Sequence, residues 1–166
     1  MSRKSIYSLS GAVIILVAIL LLIIFTGGKS SPNEKMPIPA TSLQHSSSTI
    51  SIAGNVFYVN VADTPEKRTQ GLSGTSSLDS NEGMLFIFDM PGKYDFWMYE
   101  MNYPLDFVWI NNGKVVQLDQ RVPAPLNGTP IKTISPISDV DMVLEVNAGT
   151  ISNDSIKIGD PVEVNY

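Results

Sequence analysis

Hydrophobic and polar positions divide the chain into three stretches, and the first is a long apolar run. Residues 11–25 are all apolar or glycine, and no charged residue occurs between Lys4 and Lys29. A helix needs ~20 such residues to cross a hydrocarbon core of ~30 Å. A signal peptide usually has a shorter apolar segment of roughly 7–15 residues and an A-x-A cleavage site, although the small residues 26–28 offer a place for cleavage. We therefore predict an uncleaved transmembrane signal anchor at residues 5–28.

The second stretch, residues 29–48, is rich in serine, proline, threonine and asparagine. It cannot bury enough apolar surface to order itself, so we predict a disordered polar linker. Arg3 and Lys4 precede the apolar run, and positive flanks favour the cytoplasmic side of a membrane. The expected localisation is the cell membrane, with a single pass, a cytoplasmic N-terminus and an extracytoplasmic domain over residues 49–166.

The third stretch consists of apolar and polar residues in alternation, interrupted by turn residues. Gly54-Asn55 and Asn111-Asn112-Gly113 separate such alternating segments and predict two β-hairpins. The continuous apolar run 83–88 predicts a strand that is covered on both faces. Thr64-Pro65 is a typical helix start, and Gly71 is a typical stop. About eight short strands predict a mostly β fold: a single antiparallel jelly-roll-like sandwich or barrel domain with one short helix.

Composition narrows the chemistry that this domain can perform. The chain has no cysteine, and its single histidine, His45, lies in the linker. Disulfides and thiolate nucleophiles are therefore excluded, and Ser/His/Asp catalysis is excluded unless the linker folds into the domain. No EF-hand spacing or phosphate-binding loop occurs, so we predict no metal and no cofactor. All sixteen acidic residues but only nine of the eleven basic ones follow position 27, and this acidic surplus argues against nucleic acid as a partner.

Six short motifs occur in order along the domain. They are Ala62-x-Thr64-x-x-x-Arg68-x-x-Gly71-Leu72, Gly83-Met84-Leu85-Phe86-x-Phe88, Phe96-Trp97-Met98, Pro104-Leu105-Asp106, Val143-Leu144-Glu145-Val146-x-Ala148-Gly149 and Gly159-Asp160-x-Val162. In this order and spacing they resemble the domain of unknown function 192 (DUF192) family over nearly all of residues 51–164. The resemblance implies a jelly-roll-like β fold, often carried behind a signal or membrane anchor, and it implies no established activity.

The segment 97–109 holds the densest group of side chains suited to a ligand-binding site. The candidates are Trp97, Glu100, Tyr103, Asp106 and Trp109. Aromatic rings supply apolar contact area and nearby carboxylates fix orientation, which is how extracellular β domains commonly bind sugars or peptides. Because strand side chains alternate, we expect Trp97 on the face opposite Phe96 and Met98. The alternative is that the aromatic residues are core and the acidic residues are solvated.

Arg68 and Glu145 form a second candidate pair. Glu145 lies within an apolar strand segment, where an unpaired buried carboxylate is unfavourable. It faces solvent if only Leu144 and Val146 point into the core. If it points inward, Arg68 is its natural bidentate partner, and a structural ion pair is favoured over a substrate anchor.

These observations favour a binding or interaction module of the cell envelope over an enzyme. Its partners are expected to be the membrane, through the N-terminal helix, and an envelope saccharide or protein. The alternative is a carboxylate-dependent hydrolase that acts on envelope polysaccharide, since the domain holds several acidic residues in turns and at strand ends. A third possibility is a domain that supports another envelope protein without binding a small ligand.

Overall fold

A computed structural model of the protein describes residues 48–126 and 132–166. The predicted anchor at 5–28, nearly all of the predicted linker and His45 lie outside the described residues. Within the described part of the chain, no helix combines the length and the hydrophobicity required to cross a membrane.

The described residues form nine strands and two short helices, and most of them lie in one sheet. The strands are β1 (Thr49–Ile52), β2 (Asn55–Ala62), β3 (Glu82–Gly92), β4 (Phe96–Trp97), β5 (Leu105–Asn111), β6 (Lys114–Val122), β7 (Thr133–Ile134), β8 (Val140–Asn147) and β9 (Val162–Asn165). The helices are α1 (Pro65–Gln70) and α2 (Thr150–Asn153). The mostly β fold is confirmed, and so is the short helix after Thr64.

Seven strands form the main sheet in the order β6-β5-β8-β3-β2-β1-β9, and β4 pairs with β7 in a small second sheet. The pair β2–β3 is parallel, with Val61 opposite Leu85, whereas the other pairs are antiparallel. The prediction of an antiparallel sandwich is therefore wrong at this pair. After β2 the chain passes through α1 and crosses back to the end of the sheet where β2 began, so β3 runs in the direction of β2.

The main sheet is curled like half of a barrel, and its two edge strands meet at one end. Lys114 at the start of β6 bridges to Pro161, which directly precedes β9. The Val115 N–H donates to the Asp160 carbonyl at 3.0 Å, and the Gly159 N–H donates to the Val115 carbonyl at 2.8 Å. Backbone hydrogen bonds therefore join the first and last strands in the sheet order.

Both predicted hairpins are present, and both use residues with positive φ. Asn112 and Gly113 connect β5 to β6 with φ of 53° and 68°. The first hairpin turns at Ala53 and Gly54, one residue earlier than predicted, with φ of 52° and 81°. Two consecutive left-handed residues match the right-handed twist of the flanking strands.

Each face of the sheet carries its own hydrophobic core. One core, here the α2 face, contains Ile50, Ile52, Phe57, Val59, Leu85, Val108, Ile110, Val115, Leu144, Val146, Ile151, Ile156 and Val162. The other, here the α1 face, contains Ala62, Leu72, Phe86, Phe96, Met98, Met101, Leu105, Phe107, Trp109, Val122, Ile134, Val140 and Val143. Because both faces are covered, alternate residues along the central strands enter different cores, and β5 is buried at six consecutive positions.

Candidate functional site

Helix α1 lies over the α1 face, and local sequence fixes where it begins and ends. The Thr64 hydroxyl accepts a hydrogen bond from the Lys67 N–H, and Pro65 occupies the first turn. Gly71 ends the helix with φ of 49°. A Cβ at Gly71 would stand only 3.3 Å from the Phe86 ring, and its positive φ is strained for other residues, so glycine is favoured at this helix end.

A cavity of about 500 Å³ opens between α1 and the sheet. Side chains from α1, β3, β4, β8 and the segment between β3 and β4 line it. Six of them determine its chemistry: Arg68, Phe86, Phe88, Tyr94, Trp97 and Glu145. The volume falls in the ~300–1,000 Å³ range of small-molecule sites. The cavity is thus large enough to enclose a small organic ligand.

Five aromatic side chains contribute to the cavity wall, and most of them pack against one another. Phe86 and Phe96 meet edge to face, with centroids 4.8 Å apart. Phe88 and Tyr94 are stacked at 3.6 Å, and the Tyr94 hydroxyl donates to the Met90 carbonyl at 2.6 Å. Phe96 also contacts Trp109, with centroids 5.4 Å apart. The wall is therefore continuous with the core and is held rigidly.

Glu145 places a carboxyl group among these apolar side chains. Its strand β8 is central in the sheet, and its cross-strand neighbours are Met84 and Phe107. The side chain is only 5% exposed, and its carboxyl oxygens face the cavity rather than being sealed in the core. Among the described residues the carboxyl group has neither a hydrogen-bond nor an ion-pair partner. Burial raises the pKa of Glu145 from 4.5 to about 8. The carboxyl group is therefore largely protonated at neutral pH when the cavity is empty.

Arg68 lines the same cavity but does not neutralise Glu145. The Arg68 Nη1 donates to the Ile87 carbonyl at 2.8 Å, and its guanidinium carbon lies 5.4 Å from the centroid of the Phe88 ring. No ion pair joins the two side chains, although both belong to the described residues. The predicted Arg68–Glu145 ion pair is corrected accordingly: Glu145 points inward, but backbone and aromatic contacts hold Arg68 instead.

A second, wider groove of about 820 Å³ adjoins the cavity, and Trp97 lines both. The Trp97 side chain is 47% exposed, while Phe96 and Met98 are buried, as the alternation of β4 predicts. Glu100 lines this groove with a left-handed φ of 54°. Hydrogen bonding to the Glu100 carboxylate raises the pKa of the exposed Tyr99 phenol. Trp97 and Glu100 are therefore brought to one surface.

Tyr103 lies close to the cavity but is held by a structural contact. Its hydroxyl is 2.7 Å from the Thr75 hydroxyl, and Thr75 also donates to the Leu72 carbonyl at 2.6 Å. Burial raises the pKa of the Tyr103 phenol, and the nearby Glu145 adds to this increase while the Thr75 contact opposes it. Tyr103 thus fixes the segment after α1 against the loop that precedes β5.

Asp106 and Trp109 are not brought to the cavity or the groove, because both are fully buried in β5. The Asp106 carboxylate accepts backbone hydrogen bonds from Arg121 at 2.7 Å and from Gly149 and Ile151 at 2.9 Å. It thereby caps the start of α2 on the α2 face. The Trp109 ring lies in the core of the α1 face. Its Nε1 donates to Asp119 at 2.7 Å.

Sequence reasoning missed the aromatic lining that β3 contributes. Phe86 and Phe88 belong to a run that predicts a strand covered on both faces, and that signal does not distinguish a packed ring from a cavity wall. Whether these rings line a cavity depends on the position of α1 above them, which the apolar run does not predict.

No group of three or more histidine, cysteine, aspartate or glutamate side chains that could hold a metal ion occurs within residues 48–126 and 132–166.

Comparison with known proteins identifies the family of this chain. The profile of the DUF192 family, described as "Uncharacterized ACR", matches residues 48–164. The chain belongs to the DUF192 family. Glu145, Arg68 and Trp97 all lie within the matched DUF192 region. No curated protein matches the chain closely enough to count as a relative.

Two solved structures resemble this DUF192 domain. A protein of unknown function from Novosphingobium aromaticivorans has a TM-score of 0.63 and 26% identity, and the match covers 69% of this chain and 83% of that one. A protein of Sinorhizobium meliloti, described as a candidate transcription regulator, has a TM-score of 0.63 and 27% identity, with 70% and 92% coverage. The family and these structures support the fold and assign no activity to the cavity.

Proposed function

We propose that this DUF192 domain is a binding module of the cell envelope and that the cavity under α1 receives its ligand. The observation that carries the proposal is the Glu145 carboxyl group, which is buried, unpartnered among the described residues and open to the cavity. Burying such a group is unfavourable unless something completes its hydrogen bonds or its charge. A ligand in the cavity would do so.

The rest of the cavity supports this proposal. Rigid aromatic rings form its walls, and Trp97 extends the contact surface into the adjoining groove. Sites for small organic ligands commonly combine mostly apolar walls with a few polar groups that fix orientation. In this domain Glu145 and Arg68 are such groups. An envelope saccharide or the side chain of an envelope protein has suitable apolar and polar faces.

The membrane part of the proposal rests on the sequence of residues 5–28, which is long and apolar enough to anchor the domain outside the cytoplasmic membrane.

A role in transcription is not proposed for this chain, because that description belongs to the S. meliloti protein alone. In this chain, the acidic surplus after position 27 disfavours contact with nucleic acid.

A second candidate function, polysaccharide hydrolysis, is favoured by one observation. Glu145 has the raised pKa of a general acid, and the carboxylates of Asp89 and Asp95 line the same cavity. Glycosidases use such pairs of carboxyl groups. Release of reducing ends from envelope polysaccharide by the wild-type chain, and its loss in Glu145→Gln, would favour hydrolysis over simple binding.

The binding proposal is tested by titrating the full-length chain with a library of small organic fragments and envelope saccharides. Ligands that enter the cavity should change the fluorescence of Trp97, which is half exposed, and leave the buried Trp109 unaffected. The change should vanish in Trp97→Phe. Glu145→Gln should weaken binding, while Glu163→Gln, an exposed strand position on β9, should leave it unchanged. The proposal fails if no compound responds, or if the responses ignore Glu145 and Trp97 alike.

The topology is tested with protease added outside intact cells whose outer layer has been permeabilised. We expect cleavage within the domain or the linker, because Arg3 and Lys4 keep the N-terminus inside. A cytoplasmic protein serves as the protected control. Full protection of the domain would place it on the cytoplasmic side and overturn the envelope assignment.

A further inference from the structure

We propose that the cavity under α1 selects ligands that carry an organic ammonium group, with aromatic rings around the cation and the Glu145 carboxylate as its counter-charge. This inference rests on the proposed binding function and specifies the ligand class. Three independent features lead to it: the ring arrangement, the charge balance of the cavity and the missing partner of Glu145.

The ring arrangement suits a cation. Phe86, Phe88, Phe96 and Trp97 all line the cavity, and the Phe86 and Phe88 rings meet Phe96 at nearly perpendicular angles of 81° and 87°. Tyr94 already stacks on Phe88 and the Arg68 guanidinium lies over the same ring, whereas Trp97 is half exposed and has the most accessible ring of the wall. The faces of aromatic rings attract ammonium groups, and several rings together form the cages that bind methylated amines. A purely apolar ligand would use the same area without requiring a carboxylate.

The charge balance of the cavity is negative. With Glu145 protonated, the carboxylates of Asp89 and Asp95 still outnumber the one guanidinium, that of Arg68, among the described lining residues. Arg68 is already engaged with the Ile87 carbonyl and the Phe88 ring. Asp95 accepts a hydrogen bond from the Ser135 hydroxyl at 2.6 Å. An anionic ligand would meet like charges, whereas a cation would be attracted.

The missing partner of Glu145 indicates where the cation would sit. An ammonium group beside this carboxyl supplies the charge that no described residue provides, so binding should drive a proton off Glu145. The other ionisable groups near Glu145 are Arg68 on α1, Tyr103 on the loop before β5, and Asp89, Tyr94 and Asp95 around the cavity. None of these makes an ion pair with Glu145 in the described structure, so the proton released should come from Glu145 itself.

The test compares choline with 3,3-dimethyl-1-butanol, an uncharged molecule of nearly the same shape. Both are titrated calorimetrically into the full-length chain. The chain is held in phosphatidylglycerol nanodiscs in phosphate buffer, so that neither the lipid nor the buffer carries an ammonium group. We expect choline to bind at least about tenfold more tightly than the alcohol at pH 8. Its affinity should rise about tenfold between pH 6 and pH 7. The reason is that, below the pKa of Glu145, the ionised fraction of this carboxyl group increases about tenfold with each pH unit. The affinity of the alcohol should not change with pH.

Two variants assign the effect to Glu145. In Glu145→Gln, which keeps the shape of the side chain, the preference for choline should fall, because only the rings and the other carboxylates still favour a cation. Its pH dependence should disappear, and the alcohol should still bind. In Glu163→Gln, which removes an exposed carboxylate on β9, the preference for choline and its pH dependence should both remain as in the wild-type chain.

The outcomes separate this inference from the proposed function. If the alcohol binds as tightly as choline, the cavity is an apolar binding site and the ammonium preference is refuted while the binding function stands. If choline binds equally well to Glu145→Gln, the cation lies elsewhere and the inference fails. If neither compound binds but other fragments enter the cavity, the ligand class is wrong. If nothing enters the cavity, both proposals fall.

Discussion

Two buried acidic residues within the described part of the chain lie on neighbouring strands and on opposite faces of the same sheet. Asp106 on β5 enters the α2 face, and Glu145 on β8 enters the α1 face. Both are almost fully buried. They differ in their bonding: Asp106 accepts three backbone hydrogen bonds, whereas Glu145 has no partner among the described residues.

Both residues are almost fully buried, so it is hydrogen bonding that distinguishes the structural Asp106 from the candidate functional residue Glu145. The fold explains the burial of Asp106, since its carboxylate joins the Gly149 and Ile151 N–H groups at the start of α2 to the Arg121 N–H on β6. The fold does not explain the burial of Glu145. A cavity opens beside it instead, and we infer a ligand there.

The largest effect is expected for Asp106→Asn. The amide keeps one oxygen acceptor but turns an NH₂ group toward N–H donors, so at least one backbone N–H loses its partner. Losing hydrogen bonds to a buried charge and leaving a donor unsatisfied should lower the free energy of unfolding by roughly 3–5 kcal/mol. Urea denaturation measures this loss. A loss below about 1 kcal/mol would mean that Asp106 is as poorly bonded as Glu145 and would remove the contrast.

A smaller effect, with a distinctive pH dependence, is expected for Glu145. Its pKa is about 8 in the folded state and near 4.5 when exposed, so between these values the unfolded chain ionises while the folded chain stays protonated. The contribution of Glu145 to stability is therefore complete below pH 4.5, falls as the pH rises, and levels off above pH 8. The total decline should be on the order of a few kcal/mol, at no more than about 1.4 kcal/mol per pH unit.

The control for this prediction is Glu145→Gln, which cannot ionise. The difference in the free energy of unfolding between wild type and Glu145→Gln isolates Glu145 from all other titrating groups. This difference should favour the variant increasingly from pH 5 to pH 8. A difference that does not change with pH would indicate that Glu145 is solvated or paired in solution, and the two acids would then be alike.

The smallest effect is expected for Trp97→Ala, which should lower stability by about 1 kcal/mol because the side chain is half exposed. The same truncation at the fully buried Trp109 should remove roughly 3–5 kcal/mol. Thermal unfolding of the two variants compares the open part of the α1 face with its packed part. Equal losses of stability in the two variants would indicate that Trp97 is packed in the core and does not line an open groove.

Sequence predicted the local features well, because these depend on neighbouring residues. The helix after Thr64, the turn at Asn112-Gly113 and the outward position of Trp97 follow from capping, turn preference and alternation. The parallel pairing of β2 with β3 did not follow, because the same helix and turn signals fit several strand orders. Pairing partners depend on contacts between distant parts of the chain.

The candidate site was predicted only in part, for a related reason. Alternation placed Glu145 opposite Leu144 and Val146 but did not reveal that α1 covers the opposite face as well. For the same reason Asp106 and Trp109, which alternate along β5, are both buried, each on its own face. A carboxylate's face is readable from sequence, but what covers that face is a property of the whole fold.

The contact between β6 and β9 at Lys114 and Pro161 affects how easily neighbouring copies of the domain can aggregate. An exposed strand edge presents unpaired N–H and C=O groups that can recruit a strand from a neighbouring molecule, the usual start of edge-to-edge aggregation. Here part of each edge is occupied by the other, through the Val115, Gly159 and Asp160 backbone bonds. Proline at position 161 also lacks the N–H that an incoming strand would use. Many copies crowded side by side on one surface would therefore have little opportunity to join their sheets at this end.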